Sequence, residues 1–144
     1  MPHSAVENYM HIIFATKNRE SSISTTLDLN LHSYLAGIAK QRQVPFLKIN
    51  GTEDHLHILL KLHPNVALST LLREMKSYST AWIKKQGFPH FAWQEGYGGF
   101  SCSHSHLELL KRYIELQKEH HKKTTFAEEV TLLNRQWGTR WMKD

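Results

Sequence analysis

The run Glu53-Asp54-His55-Leu56-His57-Ile58-Leu59-Leu60 constrains this chain more than any other stretch. Side chains alternate across a strand, so one register sends Leu56, Ile58 and Leu60 into a core and leaves His55, His57 and Leu59 together on the opposite face. Two imidazoles on one strand face make half of a chelating site for a divalent ion. The chain has 11 histidines, so a His-x-His pair also arises by chance, and a third ligand and a nucleophile must come from elsewhere in the sequence.

Around this run the elements follow from periodicity and turn chemistry. Residues 8–16, rich in aromatic and β-branched types, predict a first strand that runs out into Lys17-Asn18-Arg19. Ser24, Thr25 and Thr26 offer N-caps for a helix over 27–42, in which Leu31, Tyr34, Leu35 and Ile38 recur at helical spacing. Residues 44–49 predict a second strand with Pro45 at its start or on an edge, and Asn50-Gly51 predicts a tight turn into the His55 strand. Over 67–86, Leu68, Leu71, Leu72, Met75, Tyr78 and Trp82 fall at three- and four-residue steps, with Arg73, Lys76, Lys84 and Lys85 on the other face. Phe91-Ala92-Trp93-Gln94 predicts a fourth strand, and Gly96-Tyr97-Gly98-Gly99 a bend or hinge. A helix is expected from about Ser103 to His121, followed by a short one capped by Thr124 or Thr125, with Glu128 in capping-box position to Thr125.

The order strand, helix, strand, strand, helix, strand, helix is that of an α+β, ferredoxin-like (RRM-like) fold, an antiparallel sheet with helices on one face. The histidine pair is expected on the open sheet face. At 144 residues and 40% hydrophobic content, the chain suits a single domain over 1–144, burying roughly 70% of its unfolded surface. Lys+Arg 18 against Asp+Glu 13 gives a net charge of +5, which favours a polyanionic partner. Cys102 is the only cysteine, which excludes an intramolecular disulfide framework and a cysteine zinc ribbon and suits a reducing cytoplasm. With no long apolar run and no leader-like N-terminus, a cytoplasmic protein without membrane association is expected.

The segment Leu107 to His121 separates its faces. Glu108, Lys111, Glu115, Lys118 and Glu119 lie on one side, and Leu110, Tyr113, Ile114 and Gln117 on the other. A glutamine on a protein-facing surface needs hydrogen bonds or a ligand to offset its desolvation, and it lies one turn from Tyr113, so the two can enter one site. An ordinary amphipathic helix gives the same pattern. His104-Ser105-His106 is a second His-x-His, but at a helix start its side chains diverge by about 200°. Tyr9, Tyr34, Tyr78 and Tyr97 have no candidate ligand nearby in sequence.

Taken jointly, Asp54-His55-Leu56-His57 and Tyr113-Ile114-Glu115-Leu116-Gln117 resemble the His-hydrophobic-His and Tyr-x-x-x-Gln motifs of the single-tyrosine (HUH) transposases of the IS200/IS605 type, including relatives associated with repeated palindromes. The opening strand His11 to Arg19 and the run Phe126-Ala-Glu-Glu after His120-His121 extend the likeness over about residues 8 to 130. Glu53 departs from it, standing where a proline is expected. The resemblance implies that His55, His57 and Gln117 hold Mg²⁺ or Mn²⁺, and that Tyr113, on a C-terminal helix, attacks single-stranded DNA to leave a 5′-phosphotyrosine. Asp54 and His121 are possible auxiliaries at the ligands or the phosphate. An amide oxygen and imidazoles with an open position suit an ion acting as a Lewis acid, and a tyrosyl ester conserves the bond energy needed for rejoining.

The same resemblance implies a homodimer in which the tyrosine helix of one subunit completes the histidine pair of another, and a partner of single-stranded DNA with hairpin ends. Lys17, Arg19, Arg73, Lys76, Lys84 and Lys85 are the basic candidates for DNA contact. The competing readings are a host-retained palindrome-processing endonuclease, a metal-dependent phosphodiesterase without a covalent step, and a nucleic-acid-binding module without catalysis.

Overall fold

The computed structural model describes residues 4–142. Among them, four strands, β1 (Tyr9–Ala15), β2 (Phe46–Gly51), β3 (His55–Lys61) and β4 (Gly98–Cys102), form one sheet in the order β2-β3-β1-β4. Neighbouring strands are antiparallel throughout. Helix α1 (Thr25–Gln41) joins β1 to β2, and α2 (Leu68–Lys85) joins β3 to β4. The strand order and both crossovers are those of the expected ferredoxin-like sheet.

Alternation in β3 divides its residues as the sequence predicts. Leu56, Ile58 and Leu60 are fully buried with Leu31 and Leu35 of α1 and Leu71, Leu72 and Met75 of α2. Each such side chain stabilises the fold by about 1.5–3 kcal/mol relative to its exposed state. Helix α1 starts at Ser24, whose hydroxyl accepts from the Leu27 amide at 3.2 Å.

The expected open sheet face does not exist. Leu59 is buried against Leu107 and Ile114 of α3 (Leu107–Glu115), and Ile13 and Ala15 against Phe126 and Val130 of α5 (Phe126–Trp137). Helices therefore cover both faces of the sheet, because α3 and α5 each carry an apolar stripe whose nearest apolar surface is the second face of β1 and β3. Helix α5 begins at the predicted capping box, with Thr125 Oγ1 accepting from the Glu128 amide and the Glu128 carboxylate accepting from the Thr125 amide. It ends at Gly138, in the left-handed conformation at φ 68°. Asn134 then holds the tail back, accepting from Thr139 Oγ1 and the Trp141 amide.

Three boundaries differ from the sequence reading. The tight turn lies at Thr52–Asp54, not at Asn50-Gly51, since Thr52 N donates to His55 O at 3.0 Å and Gly51 closes β2. Gly51 is required there by close approach: an added Cβ would lie 2.2 Å from the His55 carbonyl oxygen. The fourth strand is Gly98–Cys102, whereas 91–94 only bridges the end of β1 through Thr16 and Trp93. Gly98 runs in the strand because the Trp141 ring lies where its side chain would be, 2.9 Å from an added Cβ. The expected helix over 103–121 is a 3₁₀ turn at His104–His106, then α3, then a break at Leu116 (φ −93°, ψ 14°), then α4 (Gln117–His120). Asn50 Nδ2 donates to the Ile114 and Glu115 carbonyls, so α3 can stop there with these carbonyls satisfied.

Candidate metal and tyrosine site

Three elements converge over the second face of β3. His55 and His57 are both fully buried on that strand, two residues apart. His121 follows α4 directly, and Glu129, 2% exposed, points inward from the first turns of α5. One ligand atom from each of these four residues lies within 4.8 Å of the other three, as four donors around one ion require.

The imidazoles are oriented from behind. His55 Nδ1 lies 2.8 Å from Asp54 Oδ1, which also accepts from Thr52 Oγ1. This places the His55 proton on Nδ1 and turns the Nε2 lone pair toward the cluster. His57 Nδ1 lies 2.8 Å from Nε2 of buried His11. The Nε2 atoms of His57, His121 and His55 face one carboxylate oxygen, Glu129 Oε1, at 3.0, 3.1 and 3.5 Å. The first two are hydrogen bonds, and the last is not, so His55 Nε2 is buried with no hydrogen-bond partner among the described residues. A buried, unpartnered imidazole lone pair beside a carboxylate and two more imidazoles fits a divalent ion.

Charge follows from these contacts. Burial pushes the Glu129 carboxyl up, but its contacts with His55 and His57 hold it down to about 2, so it is a carboxylate. Burial lowers His57, and burial together with the neighbouring His55 and His120 lowers His121 to about 4, so both are neutral near pH 7. Burial lowers His11 to about 3, with His57 adding to it. His55 is pushed down by burial, yet Asp54 and Glu129 raise it above its ordinary value.

The tyrosine reaches the same carboxylate. Tyr113 Oη donates to Glu129 Oε2, and its ring lies 5.8 Å from that of His57. The nucleophile candidate and the histidine pair thus meet within one chain. Gln117 is fully buried; its Nε2 donates to Tyr113 O at 3.4 Å, and its Oε1 has no partner among the described residues. A groove of about 520 Å³ opens beside the cluster, lined by Asp54, His121, Lys118, Lys122, Thr125 and Phe126.

The basic candidates separate. Arg19 sits over the Phe126 ring at 5.5 Å, and Phe126 stacks on His55 at 4.1 Å, which puts a guanidinium at the rim of the site. Lys17 is exposed, two residues earlier in the chain. Arg73, Lys76 and Lys84 line a second groove of about 620 Å³ with Phe91, Trp93 and Tyr97. Lys76 is half-buried and tied to the Gln94 and Gly96 carbonyls, so it holds the 94–96 loop. Lys85 is exposed at the end of α2. His104 and His106 are exposed on the 3₁₀ turn.

Two central residues, Glu129 and His11, lie in stretches that carry the family likeness but receive no role from the motifs. The signal for Glu129 was present: it falls in the stripe Phe126, Val130, Leu133, Asn134 that α5 buries or half-buries, and a carboxylate in such a stripe needs partners. His11 shares its strand face with Ile13 and Ala15, and the cross-strand pairs Ile13–His57 and Ala15–His55 bring that face beside the histidine pair.

Residues 4–117 match the family model described as "Transposase IS200 like". No curated protein matches the chain. Among solved structures, one from Deinococcus radiodurans R1 described as a transposase aligns at a TM-score of 0.64 and 22% identity, covering 81% of this chain and 95% of that one. A REP-associated tyrosine transposase bound to a REP hairpin aligns at a TM-score of 0.65 and 17% identity, covering 84% of this chain and 73% of that one.

Proposed function

Since the chain belongs to the IS200-like transposase family, we propose that it cleaves and rejoins single-stranded DNA by tyrosine transesterification, with Tyr113 as the nucleophile. The observation that carries this reading is the shared carboxylate: Tyr113 Oη and His57 Nε2 both bond to Glu129, so the half-buried nucleophile and the buried candidate ligands meet at one carboxylate. The Tyr113 oxygen forms the new bond to phosphorus, and the bond from phosphorus to the departing 3′ oxygen breaks. The tyrosine proton is lost and the 3′ oxygen gains one, leaving a 5′-phosphotyrosine and a free 3′-hydroxyl. Attack by that hydroxyl, or by another 3′ end, reverses the step without a nucleoside triphosphate.

His55 and His57, with Gln117, are the residues that the motif likeness assigns to Mg²⁺ or Mn²⁺. A divalent ion held there supplies Lewis-acid polarisation of the scissile phosphate. Asp54 and His11 keep the two imidazoles turned toward it. Glu129 holds the Tyr113 hydroxyl in place, and Arg19 at the rim, together with exposed Lys17, attracts the DNA backbone.

We extend the reading to a DNA hairpin as substrate mark, supported by the fold shared with a protein whose structure holds a REP hairpin. The basic groove of Arg73 and Lys84, with the half-buried Tyr97 ring in its lining, suits such a ligand, offering phosphate contacts and a ring for an unpaired base. We further infer a homodimer in which each chain carries a complete site.

Labelled single strands of both polarities from the DNA beside the gene, incubated with Mn²⁺ or Mg²⁺ and run on a denaturing gel, test the reading. A covalent protein–DNA adduct that disappears in Tyr113→Phe and on chelation is expected. Cleavage that persists in Tyr113→Phe without an adduct would identify a water-using nuclease instead.

A further inference from the structure

The structure adds two ligands to the site. We propose that His121 and Glu129 join His55 and His57 in holding the ion, so that, beside the Gln117 amide, three imidazoles and one carboxylate face it, a set that selects a first-row transition ion such as Mn²⁺ over Mg²⁺. The proposal deepens the functional reading above and rests on it.

Convergence is the first argument. The donors arrive from three separate elements, yet all four lie within 4.8 Å of one another. His55 and His57 are each anchored through Nδ1, by Asp54 and by His11, which leaves Nε2 of both directed at the cluster. Glu129 is set in register by the capping box one residue before it, so its inward direction follows from how α5 starts.

Desolvation is the second. A carboxylate 2% exposed and an imidazole nitrogen with no partner are costly to bury side by side unless a cation joins them. His57 and His121 each spend a hydrogen bond on one Glu129 oxygen, and His55 stands 3.5 Å off, outside hydrogen-bond geometry. One oxygen cannot satisfy three imidazoles, whereas one ion can accept all four donors.

Donor chemistry decides the ion. Mg²⁺ favours oxygen ligands in near-ideal octahedral geometry and keeps several waters, while affinity for imidazole nitrogen rises along the first row from Mn²⁺ to Cu²⁺, so Mn²⁺ is the weakest of the transition ions such a set favours and still accepts nitrogen more readily than Mg²⁺. A pocket with three imidazoles and one carboxylate is poor for the first and good for the second. Glu129 also accepts from Tyr113 through its other oxygen, so one residue joins the ligand cluster to the nucleophile candidate.

Calorimetric titration of the chelator-treated full chain tests the proposal without any reaction. Mn²⁺ is expected to bind at least about tenfold more tightly than Mg²⁺, and Glu129→Gln and His121→Ala each to weaken Mn²⁺ by about tenfold or more. Pulsed electron paramagnetic resonance of the Mn²⁺-loaded wild type is expected to resolve nitrogen couplings from three imidazoles. It needs no variant, and so decides the matter if Glu129→Gln fails to fold. Two coupled imidazoles, or Mn²⁺ affinity unchanged in both variants but lost in His57→Ala, would overturn the proposal and leave the tyrosine reading standing. Equal affinities for Mn²⁺ and Mg²⁺ would overturn the selectivity. Loss of the covalent adduct assay alone, with three imidazoles on Mn²⁺, would instead sink the functional reading.

Discussion

The Nε2 atom of His11 lies 2.8 Å from Nδ1 of His57, a contact made across the β1–β3 ladder between two buried side chains. It lets the strand pairing itself orient an imidazole at the centre of the site. His11→Leu keeps the volume of a buried side chain and removes the partner. Mn²⁺ affinity is expected to fall by about 10- to 100-fold with the far-ultraviolet spectrum unchanged. Calorimetry checks this, and an affinity within twofold of wild type would mean that backbone and packing alone orient His57.

The same buried histidines set how stability of the metal-free chain responds to acid. His11 and His121 titrate near 3 and 4 in the fold but near 6.5 when unfolded, so between these values the unfolded chain binds more protons. Stability is therefore lost as pH falls below about 6.5, by up to about 1.4 kcal/mol per pH unit for each group. Glu129, held near 2, acts in the same direction below about 4.5, whereas His55, raised in the fold, opposes it. Denaturant melts at pH 7 and pH 5 measure the difference, and equal midpoints would contradict it.

Tyr113 meets the histidine pair of its own chain through Glu129. Mixing a His57→Ala chain with a Tyr113→Phe chain is accordingly expected to recover no adduct formation. Recovery toward about a quarter of the wild-type yield, from one restored site in each mixed dimer, would instead establish exchange of the tyrosine helix between subunits.

Gly51 lets β2 end against the backbone of the His55 turn. A methyl group there would lie 2.2 Å from the His55 carbonyl oxygen and 2.9 Å from the Leu56 Cα, neither of which can yield without moving β3. Gly51→Ala is expected to lower the melting temperature by roughly 5–10 °C. It should also weaken Mn²⁺ binding, since His55 moves with the turn. Thermal melts and calorimetry of one preparation read both effects.

Arg73, Lys84 and Lys85 are exposed cations along one side of α2. Changing all three to serine is expected to reduce the slope of log affinity for hairpin DNA against log salt by roughly 2 to 3, with little change in sequence preference. Lys76 is left out because it holds the 94–96 loop. An unchanged slope, measured by fluorescence anisotropy over a salt series, would remove this face from the DNA contact.

Much of the architecture is legible from short-range pattern. Alternation through Leu56, Ile58 and Leu60 set the core face of β3, and helical spacing through Leu71, Leu72 and Met75 set that of α2. Thr125 and Glu128 announced the start of α5. What misled was chemistry read locally but decided elsewhere. Asn50-Gly51 has the composition of a tight turn, yet Asn50 bonds the end of α3 and Gly51 accommodates the His55 carbonyl. Gly98 and Gly99 have the composition of a hinge, yet Gly98 lies in a strand beneath Trp141.

The sequence by itself determined the order of strands and helices, the shared face of His55 and His57, and the family to which they point, because side-chain period and capping depend on neighbours within a few residues. Only the tertiary structure decided that helices cover both sheet faces, that α3 stops at Leu116, and that Glu129 comes to His57 across 72 residues of chain. Those outcomes depend on which apolar stripes find each other and on cross-strand register. Both are settled by burial between distant segments and leave no periodic trace in the sequence.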